Sequence, residues 1–150
     1  MKFSAKYVHT NLIAKDWEKM VGFYQNVFGC VPVPPERDLK GPEIEIATGI
    51  EKAHIKGMHL RLPGWGDEGP TLEIFSYFPE LDHPITAVNR PGFGHIAFLV
   101  DDVESAKNLT LASGGQSLGQ VVRVPVGNKH VTFCYMTDPE GNILELQSWS

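Results

Sequence analysis

The chain reads as an α+β fold built from one strand–helix–three-strand unit used twice. Three observations lead there: an internal repeat, apolar alternation in short runs flanking two amphipathic helices, and an Asp placed to cap each helix. The repeat is found by setting YVHTNLIAKDWEKMVGFYQNVFGC, from Tyr7, on FGHIAFLVDDVESAKNLTLASGGQ, from Phe93. Placing His9 on His95 gives an offset of 86 residues (95 − 9), and the same offset carries Asp16 onto Asp102 and Gly29 onto Gly115 without a gap. Self-similarity at this length makes each copy a structural unit in its own right.

Each copy opens with an alternating strand and reaches an Asp whose short carboxylate can accept from the free N–H groups of a helix start. In the first helix Trp17, Met20, Val21, Tyr24, Val27 and Phe28 recur at steps of three and four and form one apolar face. Val103, Ala106 and Leu109 to Leu111 do so more weakly in the second. Gly29 and the pair Gly114-Gly115 suit helix ends that need a positive φ. Three further strands follow in each copy: 31–33, 55–62 and 71–78, then 117–124, 130–137 and 142–149. Asp138-Pro139-Glu140-Gly141 has the turn chemistry to join the last two, and PGWGDEGP, 63–70, reads as a hairpin turn because it lacks the Lys and Ser/Thr of a phosphate-binding loop.

These boundaries give one domain over 1–150, with a first module of about 1–78 and a second of about 92–150. The Pro-rich stretch 79–91 links them. A second irregular stretch, 32–54, with Pro32, Pro34, Pro35 and Pro42, reads as an insertion in the first copy, either a plain surface loop or a substrate-facing lid.

Composition narrows the partners. With 13 Lys plus Arg against 18 Asp plus Glu, the formal net charge is −5, and no basic run offers a footprint for nucleic acid or an anionic membrane. No stretch approaches a membrane span, and a cytoplasmic location is expected. Two cysteines far apart in apolar runs, Cys30 and Cys134, read as buried thiols rather than a disulfide.

Alternation then sorts side chains by face. Leu72 and Ile74 point one way and Glu73 the other; Leu144 and Leu146 oppose Glu145; His9 and Asn11 share the polar face of the first strand, and His95 opposes Ile96. Two His from the first strands and two Glu from the last strands of two repeated units form an N₂O₂ set suited to a borderline or hard divalent ion. The spacings, 64 residues (73 − 9) and 50 residues (145 − 95), differ by the 14 that the insertion accounts for. The same parity adds Tyr7, Asn11, Phe75, Tyr77, Gln147 and Trp149 as a pocket lining with aromatic walls and a few polar groups. His54 and His59 stand at an odd separation and cannot share a face; with His83 and His130 they are assigned structural or exposed roles.

In these residues the chain resembles the vicinal oxygen chelate superfamily, which embraces glyoxalase I, bleomycin and fosfomycin resistance proteins, extradiol dioxygenases and methylmalonyl-CoA epimerase. The likeness covers nearly the whole chain and is carried by His9 followed by DWEKMVGFYQNVFG, by GFGHIAFLVDD with His95, and by DPEGNILELQ with Glu145. It implies two βαβββ modules whose curved mixed sheets enclose a metal, in a homodimer acting on a small molecule. In ligand pattern it is nearest to bacterial glyoxalase I, which implies His9, Glu73, His95 and Glu145 as ligands of one divalent ion (Ni, Co, Zn, Mn or Fe), an enediolate stabilised by that ion, and Glu145 as the proton-moving base with Glu73 its counterpart. Two positions depart from glyoxalase I: Ile13 stands where it carries an Arg that meets glutathione, and Tyr77 where it carries an Asn. The alternatives are an epimerase of the methylmalonyl-CoA kind and a member that only sequesters a ligand or drug.

Overall fold

The computed structural model describes residues 3–150, and its chain divides into two compact units, one running through Asp82 and the other His83–Ser150. In the first, β1 (His9–Ile13), α1 (Trp17–Phe28), β2 (Val31–Lys40), α2 (Pro42–Thr48), β3 (His54–Arg61) and β4 (Thr71–Phe78) form a sheet in the order β1-β4-β3-β2. β1 runs parallel to β4, and the other pairs are antiparallel. Leu60 of β3 and Leu72, Ile74 and Ser76 of β4 are buried, and these strands pack against α1, whose Met20 and Tyr24 are also buried. Ser76 fastens this junction by accepting from Trp17 N–H and donating to the Ala14 carbonyl. Burying side chains of this size is worth about 1.5–3 kcal/mol each. A slip of one residue would put Glu73 in the core, so the odd-numbered face is fixed as the site-bearing one.

The second unit repeats the plan with β5 (Ile96–Leu99), α3 (Val103–Ala112), β6 (Gln116–Ser117), β7 (Val122–Val126), β8 (Lys129–Thr137) and β9 (Ile143–Trp149). Its sheet order is β5-β9-β8-β6, with β7 also pairing β8 and β5 parallel to β9. Met136, Leu144 and Leu146 are fully buried. Both caps form: the Asp16 carboxylate accepts from Lys19 N–H and that of Asp102 from Ser105 N–H. This bond holds the exposed Asp102 carboxyl below the usual carboxylate range.

Differences from the sequence reading have local causes. The stretch 32–54 is not irregular. It holds the longer β2 and the short α2, because β2 is an edge strand whose prolines need not donate to a neighbour, and two extra residues are absorbed between Val33 and Arg37. The run 117–124 breaks into β6 and β7, which pair with opposite ends of β8. Gly29 takes the left-handed conformation (φ 67°). Its repeat partner Gly115 is required for a different reason, since a Cβ there would stand 2.4 Å from the Thr137 carbonyl oxygen; the positive φ (99°) falls on Gly114. The 138–141 turn forms as expected, with the buried Asp138 carboxylate accepting from Glu140 N–H, Asn142 N–H and the Asn142 amide. Cys30 and Cys134 are free and buried, and burial pushes the Cys30 thiol up to about 11. Among the described residues no helix is long and apolar enough to cross a membrane.

Candidate metal and substrate site

Within the first unit, strand register does the positioning. Glu73 stands opposite Asn11 on one side and His59 on the other, and His9 stands opposite Thr71. The recessed Glu73 carboxylate has His59 Nε2 at 2.6 Å from one oxygen and His9 Nε2 at 3.7 Å from the other. Asn11 donates to that second oxygen at 2.7 Å. His59 Nδ1 lies 3.2 Å from the Thr71 hydroxyl, and its ring meets Phe75 edge-on at 6.0 Å. Gly57 makes this possible, since a Cβ there would sit 2.6 Å from the Phe75 ring. Burial lowers the pKa of His59, partly opposed by Glu73, while the Arg37 guanidinium and His9 push it down further.

In the second unit Glu145 stands opposite Ala97 and Tyr135. His95 Nε2 lies 2.9 Å from one carboxylate oxygen, and the Gln147 amide donates to the other at 3.3 Å. Trp149 in turn donates to Gln147 at 2.6 Å, and the His95 ring rests 5.2 Å from that of Tyr135. Exposure matches across the units: 13% for Glu73 and 16% for Glu145, against 38% for His9 and 35% for His95. In both, a carboxylate is recessed behind an imidazole at the rim.

The structure thus brings His9 to Glu73 and His95 to Glu145, and places Asn11, Phe75, Gln147 and Trp149 beside these pairs. Tyr77 is half-buried further along β4. Tyr7 precedes β1, where alternation no longer governs it, and its hydroxyl meets that of Thr10 on the opposite face. The sequence reading missed His59. Its odd separation from His54 excluded only one of the two from the site face, and His54 is the one that turns away, to Asp38. The available signal was the turn: Leu62 N–H bonds the Pro70 carbonyl, and counting back from that closure sets 59 against 73.

Chemically, imidazole nitrogens beside a carboxylate, with Thr71 behind His59, Asn11 beside Glu73 and Gln147 beside Glu145, are what a borderline divalent cation takes. His9, His59 and Glu73 each present a ligand-type atom within 4.8 Å of the others. The residues present fit such an ion.

The profile of the Glyoxalase/Bleomycin resistance protein/Dioxygenase superfamily matches residues 6–146, and the chain belongs to that superfamily. A probable lactoylglutathione lyase of Vibrio parahaemolyticus is 27% identical over 145 residues, covering 95% of this chain and 90% of that protein. A glyoxalase family protein from Bacillus cereus superposes with a TM-score of 0.82 at 17% identity, over 98% of this chain and 95% of its own. The fosfomycin resistance protein FosX of Listeria monocytogenes, in a crystal complexed with Mn(II) and sulfate, gives a TM-score of 0.50 at 18% identity, over 97% and 93% of the two chains.

Proposed function

We propose that this chain is a divalent-metal-dependent lyase or isomerase of the glyoxalase I type, acting on a small α-oxygenated carbonyl compound, with His9 and Glu73 of the first unit and His95 and Glu145 of the second as metal ligands. The observation that carries this reading is its duplication: each unit independently sets an imidazole from the start of its sheet against a recessed carboxylate from its last strand. When bound, the metal supplies Lewis acidity to an oxygen on which negative charge develops, worth several kcal/mol. The rest falls to the chain. Glu145 takes the proton from the carbon beside the carbonyl and returns it to the neighbouring carbon. His95 and Gln147 hold its two oxygens, and the Trp149 indole fixes Gln147. Asn11 and His59 hold Glu73 from both sides, which suits an anchor more than a mobile base. Each unit carries an aromatic side chain beside its own pair, Phe75 against the His59 ring in the first and Trp149 hydrogen-bonded to Gln147 in the second.

Two kinds of measurement test this. Metal content of the purified chain should approach one equivalent, and both His95→Ala and Glu145→Gln should lose it; metal retained in both sinks the ligand assignment. For the reaction, methylglyoxal with glutathione is the first substrate to supply, across Ni²⁺, Co²⁺, Zn²⁺ and Mn²⁺. Ile13 and Tyr77 alter the positions that serve glutathione in glyoxalase I, and this favours a parallel trial of a thioester, methylmalonyl-CoA in deuterated water. Deuterium uptake there with no lactoylglutathione formed would assign the epimerase reading, and silence in both assays leaves a ligand-sequestering role.

A further inference from the structure

We infer that His59 is a metal ligand, so that the first unit by itself presents a two-histidine, one-carboxylate triad of His9, His59 and Glu73. This rests on the metal-dependent reading above and adds to it a ligand from a third strand. The three side chains come from adjacent strands β1, β4 and β3, on the face fixed by core register. Ligand atoms around a tetrahedral ion with bonds of about 2.0–2.1 Å stand about 3.3 Å apart. The observed separations from Glu73, 2.6 Å for His59 and 3.7 Å for His9, bracket that value on the two oxygens of one carboxylate.

Backing groups strengthen the assignment. Histidine ligands usually have their second ring nitrogen held by a neighbouring oxygen, and ligating carboxylates are themselves hydrogen-bonded. Here Thr71, itself buried, holds His59 Nδ1 and leaves Nε2 aimed at the cluster, while Asn11 holds Glu73. Phe75 packs edge-on against the His59 ring. The second unit supplies a control within the same chain: Tyr135 occupies the position opposite Glu145 that His59 occupies opposite Glu73, and His95 and Glu145 still meet. A His–Glu pair therefore forms without a third imidazole, so His59 is not needed merely to assemble the first one. Two imidazoles and one carboxylate favour borderline ions such as Co²⁺, Zn²⁺, Ni²⁺ or Fe²⁺ over Mg²⁺ or Ca²⁺.

The test uses the full chain, freed of metal by chelation and titrated with Co²⁺ alone. Visible absorption gives affinity, and proton NMR of the loaded protein counts the paramagnetically shifted imidazole N–H signals, one for each ligating histidine. His59→Gln, which keeps an amide beside Glu73, should weaken Co²⁺ binding by about tenfold or more and remove one shifted signal. His59→Ala should do the same, with far-UV circular dichroism of both variants reporting the fold. Unchanged affinity with every signal kept overturns the ligand role of His59 while leaving the four-ligand reading in place. Weaker binding with every signal kept makes His59 a positioning residue for Glu73 and overturns it as well. Loss in the His59 variants with His95→Ala and Glu145→Gln unaffected supports the triad and overturns the four-ligand reading. A wild-type chain that takes up no Co²⁺ overturns both.

Discussion

The two units share a scaffold and differ in three side chains around the same carboxylate position. Glu73 faces Asn11 across the parallel pair and His59 across the antiparallel one, with Phe75 two residues on; Glu145 faces Ala97 and Tyr135, with Gln147 two residues on. One carboxylate is gripped from both neighbouring strands. The other is held by an imidazole from the strand entry and by an amide on its own strand. A duplicated frame has thus been filled in two ways, and in the function proposed above the division is between an anchor, Glu73, and a base, Glu145, according to what stands opposite each Glu.

The largest expected effect tests that division directly. Beyond its loss of metal affinity, Glu145→Gln should lower kcat at saturating metal by about 10²- to 10⁴-fold, the usual contribution of a positioned base, whereas Glu73→Gln should act through metal affinity with kcat largely kept. Equal losses in both parameters for both variants would erase the distinction, and steady-state kinetics at saturating metal reads it. Asn11→Ala, which makes the first unit resemble the second at Ala97, should weaken metal binding by about tenfold with kcat little changed once metal is saturating; a kcat effect would instead place Asn11 in the chemistry.

Stability offers smaller contrasts. Asp138→Ala leaves three donors of a buried turn without their acceptor, and should cost about 3 kcal/mol in denaturant unfolding. Asp16→Ala, at the start of α1, should cost about 1 kcal/mol. At the matching cap, Asp102 has a folded pKa below its ordinary value of 3.8, so its charged form is favoured by folding. Its contribution is complete above that value and is lost as pH falls through the lower folded one. Asp102→Asn keeps a cap but removes the titration, so the difference in Tm between wild type and variant should change only below about pH 4; a constant difference down to pH 2 would contradict the depressed pKa.

Much of this was legible in the chain because period-two patterning and the repeat reinforce each other. Leu72 and Ile74 against Glu73, or Leu144 and Leu146 against Glu145, decide a face with no tertiary knowledge, and Asp16 and Asp102 announce their helices. What escaped was cross-strand information. His59 becomes interesting only once β3 is laid against β4, and single-strand parity cannot supply that alignment. The prolines of 32–40 concealed a strand because they mark an edge, where a missing N–H leaves no neighbour unpaired.

The irregularity in β2 carries a further consequence. Val33 lies opposite His59 and Arg37 opposite Gly57, so four residues of β2 span two of β3, and the excess is even. An even excess returns Arg37 to the face that His59 and Glu73 occupy, whereas an odd one would have turned the guanidinium toward the core side. Chain length in this strand can therefore drift in pairs of residues without disturbing the charge presented near the cluster, while a single insertion or deletion before Arg37 would invert it. Natural variants of this segment should accordingly differ in length by twos.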